Sequence, residues 1–106
     1  MPRVSVREYR DNLGAIIRLA QVHHAIVVLL TRPFIGDASS GSWKVRAPVY
    51  VKATIEVASA NRVPCIDVYA YFSDKPEYFI DESHFTRQGH LLAAQFVYDQ
   101  VKPLIR

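Results

Sequence analysis

The sequence is short of several things on which common functions depend. It has one cysteine, Cys65, so no internal disulfide can form. That cysteine lies in an apolar run and reads as an inert buried thiol. There is no basic cluster. The thirteen lysines and arginines are scattered along 106 residues and the net charge is only +3, so the electrostatic footprint of a nucleic-acid surface is missing. The longest apolar run, "AIVVLL" at 25–30, falls far short of the roughly 20 residues that a membrane span needs. The first residues, "MPRVSVREYR", contain no apolar signal-peptide core. His23, His24, His84 and His90 have no metal-ligand spacing. Repeats, linkers and low-complexity tracts are absent too. These absences predict a soluble, cytoplasmic chain with no nucleic-acid partner, no membrane span, and neither metal nor cofactor.

What is present is enough for one small globular unit spanning 1–106. Half the residues are hydrophobic and 22% are charged. Ser5 and Glu8 form a capping-box pattern, and Val4 with Tyr9 a hydrophobic staple, at the start of a helix. Its apolar positions are Tyr9, Leu13, Ile16, Ile17 and Ala20. The β-branched run 24–31 reads as a strand covered on both faces, as in parallel sheets. Residues 32–48, rich in proline, glycine and serine, read as a long loop. A second helix is expected over 49–61, a second buried strand over 63–72, and a second loop over 73–85. Thr86 is a suitable N-cap for a last helix running to about Ile105, with Ala93, Val97, Val101 and Leu104 as its stripe and Leu92 and Phe96 beside it. This alternation predicts an α/β chain with two parallel strands and three helices. Two strands make a poor sheet, since open α/β sheets usually have about five or six. The chain reads as the second half of a doubly wound fold.

The stretch "FIDESHFTRQGHLLAA" at 79–94 carries the chemistry. Active sites of parallel sheets gather at the carboxyl ends of the strands. The loop after the second strand puts Asp81 and His84 there. Three residues apart in a tight turn, the carboxylate can accept from the imidazole Nδ1–H and leave Nε2 as a general base. A serine nucleophile requires such a base and orienter. A solvated turn with an incidental pair is the plainer reading of the same residues. Asp67, at the end of the second strand, suits a structural hydrogen bond better than chemistry. Phe34, Ile35 and Trp43 either line an acyl pocket or pack on their own domain. His90 reads as a packing or surface residue.

Asp81-x-x-His84, with Gly89 and an apolar helix following, resembles the last conserved block of the SGNH, or GDSL-type, hydrolases. The rest agrees in order. "VSVREYRDNLGAIIRLA" is similar to the family helix carrying a tyrosine and an Asn-Leu pair, here Tyr9 and Asn12-Leu13. "AIVVLLTRP" is similar to the next strand and its proline, and "VPCIDVYAYF" to the strand ending in an aspartate, here Asp67. Many members continue His-Pro-Asn, where this chain has His84-Phe85-Thr86.

The resemblance implies a three-layer, flavodoxin-like fold of which this chain is the C-terminal half. It implies hydrolysis of a small ester by a serine enzyme, with Asp81 orienting His84. The Gly-Asp-Ser block and the two oxyanion-hole blocks of the family are not in this sequence. Gly36-Asp37 is followed by Ala38, with Ser39 one place late, and Ser83 reads as a turn residue. Three alternatives stay open at this point. Either the serine is relocated, Ser39 first; or a complementing N-terminal segment supplies it; or the chain is a non-catalytic module that forms a homodimer through its open strand edge.

Overall fold

The computed structural model describes residues 4–35, 42–81 and 84–105, with the backbone alone over 42–47. In chain order it comprises α1 (Val6–Val22), β1 (Leu29–Leu30), α2 (Ser42–Ala60), β2 (Cys65–Ile66), α3 (Val68–Phe72) and α4 (Arg87–Val101). Single 3₁₀ turns lie at Pro76–Tyr78 and Lys102–Leu104.

The capping box forms as expected. The Glu8 amide donates to Ser5 Oγ at 3.1 Å and the Ser5 amide to Glu8 Oε1 at 3.3 Å. Two N–H groups that a helix start leaves without intrahelical partners are thereby satisfied, which contributes about 1 kcal/mol. Gly14 and Ile17 are buried, and Ile17 packs with Val57 and Ala58 of α2. Tyr9 Oη and Thr54 Oγ1 are 2.6 Å apart, and Arg10 pairs with Glu56 at 2.6 Å. Ile16, expected in the core stripe, is 58% exposed. The helix turns one narrow face to α2, and Ile16 lies outside it.

Helices α1 and α2 end in the same kind of corner. The Ala25 amide donates to the Ala20 carbonyl and that of His24 to Gln21; after α2, Val63 donates to Ala58 and Arg62 to Ser59. These are paired Schellman bonds, which need a left-handed residue. His24 takes φ 60° and Arg62 φ 57°, without glycine at either place. Each corner delivers the chain into a strand.

The strands are parallel, Leu29 opposite Cys65 and Leu30 opposite Ile66, with α2 as the crossover. The Leu29 amide donates to the Pro64 carbonyl at 2.9 Å and the Thr31 amide to that of Ile66 at 3.1 Å. Pairing is shorter than the apolar runs 24–31 and 63–72 suggest, because the chain leaves β2 at Asp67. There the Asp67 carboxylate accepts from the Ala70 amide at 3.1 Å and caps α3. The segment "VYAYF", rich in strand-favouring residues, is therefore helical. Its local cap and packing override its propensity. A second correction concerns 32–48. The helix begins at Ser42 rather than at 49 and carries Pro48 inside it, at the cost of one backbone hydrogen bond.

Alternation along the strands builds three layers. Val27, Leu29 and Cys65 pack towards α1 and α2. Val28 and Ile66 pack on the other face, with Phe72 of α3 and with Leu92, Ala93, Phe96, Val97 and Val101 of α4. The predicted stripe of the last helix is the face that packs, except Leu104, which is partly exposed in the terminal 3₁₀ turn.

Arg62 is exposed, so its substitution loses no packing. A left-handed backbone costs a residue with a Cβ roughly 1–2 kcal/mol, and glycine returns part of that as unfolded-chain entropy of about 0.4–1 kcal/mol. Arg62→Gly is expected to stabilise the chain by a few tenths of a kcal/mol or more in urea unfolding, whereas His24→Gly gains less, since histidine tolerates this region better. A loss of stability in Arg62→Gly contradicts the corner as described.

Candidate active site

The carboxyl ends of the two strands are tied by side chains. Thr31, which follows β1, is 1% exposed. Its hydroxyl donates to Asp67 Oδ1 at 2.7 Å and accepts from the Tyr69 amide at 2.9 Å. The part foreseen for Asp67, a structural hydrogen bond, is the one it plays. Thr31 was not singled out from the sequence. A threonine closing an apolar run, with an aspartate closing the next, is the signal that could have found it.

From this junction α3 runs to Phe72, which is fully buried. Phe72 is the floor of the turn that follows. Its ring lies 4.7 Å from Phe85 and 6.0 Å from Phe79, and those two are 5.0 Å apart. Phe79 and Phe85 also form an antiparallel bridge. The Ile80 amide donates to the His84 carbonyl, and the Thr86 amide to that of Tyr78, both at 2.8 Å. Thr86 Oγ1 accepts from the Gly89 amide at 3.0 Å and so caps α4 as expected. Residues 79–85 thus form a loop closed at its base by aromatic packing and main-chain bonds.

Asp81 and His84 lie within that loop, and the structure brings them together. Asp81 Oδ1 accepts from the His84 amide at 2.9 Å. The imidazole Nδ1 lies 2.8 Å from Oδ1 and 2.9 Å from Oδ2. An ionised carboxylate only accepts, so Nδ1 carries the proton and the neutral ring keeps its lone pair on Nε2. The His84 side chain is 74% exposed and that of Asp81 47%. Even a fully charged pair in that setting contributes only about 0–1 kcal/mol, so the loop holds the pair and not the reverse.

His90 packs edge-on against Phe85 at 5.5 Å. His23 and His24 form the corner after α1. Phe34 is buried, 4.7 Å from Tyr69 and packed with Val51, so it serves its own domain. Gly36-Asp37, Ser39, Ser83 and the Trp43 side chain lie outside the described residues. Burial, and then the Asp67 carboxylate, push the Cys65 thiol up. Among the described residues, no group of three or more His, Cys, Asp or Glu side chains is placed to hold a metal, and no helix is long and apolar enough to cross a membrane.

Comparison with solved structures bears out the family resemblance of this three-layer α/β chain. The chain is similar to the lipase/acylhydrolase from Enterococcus faecalis, with a TM-score of 0.76 and 25% identity over 99% of this chain and 55% of that one. It is similar to the acetyl xylan esterase AlAXEase, with a TM-score of 0.79 and 20% identity over 92% of this chain and 56% of that one. A GDSL-like lipase from Bacteroides thetaiotaomicron gives 0.75 and 16% over 95% and 54%. The chain therefore spans about half the length of the structures it matches. No protein-family model and no curated protein matches the sequence.

A Cβ added at Gly89 would stand 2.3 Å from the Tyr78 carbonyl oxygen and 3.0 Å from Phe85. Helix propensity alone favours alanine there by about 1 kcal/mol, but the clash is with backbone, and overpacking of this kind costs typically 1–3 kcal/mol or more. Gly89→Ala is expected to destabilise the chain by at least about 1 kcal/mol and to shift the His84 amide resonance; equal or greater stability would contradict the close approach. A raised thiol pKa means less thiolate at a given pH. Folded Cys65 should thus react with iodoacetamide at pH 8 more slowly than free cysteine, and regain the free rate in denaturant.

Proposed function

We propose that this chain supplies the acid–base half of an SGNH-type serine ester hydrolase, acting on a small ester. The observation that carries the reading is the Asp81 carboxylate set 2.8 Å and 2.9 Å from His84 Nδ1 by a loop that also holds the His84 main chain. The similarity to lipase/acylhydrolase and esterase structures supports it.

Asp81 fixes the tautomer and stabilises the imidazolium that forms. As the serine Oγ attacks the ester carbonyl, His84 Nε2 takes its proton. The tetrahedral adduct collapses, the same proton passes to the departing alkoxide, and alcohol leaves an acyl-serine. Water then gives a proton to Nε2 and attacks the acyl carbon. The proton returns to the serine oxygen as the carboxylic acid leaves. The net reaction is ester plus water to acid plus alcohol, with no redox change and no cofactor.

The sequence contains no Gly-Asp-Ser block, so on this reading the nucleophile and its oxyanion donors come from a further segment. The pair's exposure fits that division. A carboxylate–imidazole pair gains strength when water is excluded, and the covering surface would come with the serine.

In the polypeptide that unites this segment with its serine, His84→Ala is expected to lower kcat for p-nitrophenyl acetate by about 10⁴-fold or more, and Asp81→Asn by about 10⁴-fold. The same enzyme should take up one fluorophosphonate adduct, seen by intact mass, that His84→Ala loses. Unchanged turnover in His84→Ala overturns the assignment.

A further inference from the structure

We propose that Ile80 reads the alcohol half of the ester and selects esters of apolar alcohols over those of polyols. The proposal deepens the hydrolase reading and rests on it.

The register of the loop puts Ile80 opposite His84. The antiparallel bridge joins Phe79 to Phe85, and the Ile80 amide donates to the His84 carbonyl at 2.8 Å. One residue on from Phe79 is Ile80, and one residue back from Phe85 is His84. Phe79 is extended, with φ −117° and ψ 141°, and successive side chains of an extended segment point to opposite faces. Phe79 and Phe85 face inward, with their rings 6.0 Å and 4.7 Å from that of Phe72. Ile80 and His84 therefore share the outer face, where directly opposite Cβ atoms stand about 4.5–5.5 Å apart. Burial agrees. Phe79 and Phe85 are half-buried, whereas Ile80 is 73% exposed and the His84 side chain 74%. The Ile80 side chain takes no part in the core clusters of the described residues. An aliphatic side chain is thus held in water beside the imidazole, and the fold makes no use of it.

The path of the proton says what meets it. Asp81 engages Nδ1, so Nε2 is the atom that hands the proton to the departing alkoxide. That transfer requires the alcohol oxygen to lie about 2.6–3.2 Å from Nε2. The carbon chain borne by that oxygen then lies on the face that Ile80 shares with His84. The acyl chain branches from the carbonyl carbon, one bond further from Nε2. An aliphatic wall gives an alkyl group van der Waals contact. It gives nothing to the hydroxyls of a polyol, which lose water against it.

Two measurements test the assignment. In the ¹³C,¹⁵N-labelled chain, nuclear Overhauser effects are expected between the Ile80 methyl groups and the His84 ring protons; their absence overturns the placement and the proposal. In the polypeptide that unites this segment with its serine, kcat/KM is compared for butyl acetate and glycerol monoacetate. Both esters form the same acetyl-serine, so their ratio reports only the step in which the alcohol is present. Ile80→Ala, checked as folded from its own spectrum, is expected to lower that ratio about tenfold or more, and Ile80→Leu to keep most of it. An unchanged ratio in Ile80→Ala overturns the proposal. So does an equal loss with both esters, which would mean that Ile80 covers the serine-bearing segment instead. Absent or His84-independent hydrolysis sinks the hydrolase reading and this proposal together, whereas the other failures leave that reading standing.

Discussion

One carboxylate oxygen sets the course of the chain beyond the sheet. Asp67 Oδ1 accepts from the Thr31 hydroxyl and from the Ala70 amide. The first bond ties the carboxyl end of β1 to that of β2, and the second starts α3. Without the cap, "VYAYF" has every local reason to continue as strand. With it, Phe72 arrives fully buried between the sheet and α4, and the aromatic floor of the Asp81–His84 loop is in place. An oxygen that accepts twice, beside a threonine hydroxyl that both donates and accepts, leaves the junction fully satisfied. This is how a partly buried polar cluster avoids a desolvation penalty.

The loop illustrates how a weak interaction is held in a defined geometry. Exposed as they are, Asp81 and His84 gain little from each other. Their arrangement is imposed from below by Phe79 and Phe85, by the Ile80–His84 main-chain bond, and by the Tyr78 carbonyl, which accepts from Thr86 while Gly89 passes close beside it. Orientation is therefore bought with apolar burial and backbone hydrogen bonds, both cheaper than a buried ion pair.

The sequence made legible what depends on near neighbours. Ser5 and Glu8 identify their helix start, Thr86 its cap, and Asp81-x-x-His84 the pair, because each needs only three or four residues to be understood. The parallel pairing was legible from two double-covered apolar runs. Strand length was not, since it depends on where a partner strand stops, and Asp67 decides that through a residue 36 positions away. Pro48 misled for a related reason. A proline usually marks a boundary, and here the helix keeps its course through it. The left-handed corners at His24 and Arg62 were hidden because the usual glycine is absent. Ile16 had the right spacing for the core and the wrong azimuth, which only the position of α2 reveals.

The bonds that define the Asp81–His84 loop span three to eight residues of sequence, while the sheet and the Thr31 junction join residues 36 apart. Loop closure over so few residues carries a small entropic cost and is rapid. The hydrogen bonds around the pair are thus local in sequence, while the aromatic floor beneath it depends on Phe72 and so on the long-range Thr31–Asp67 junction.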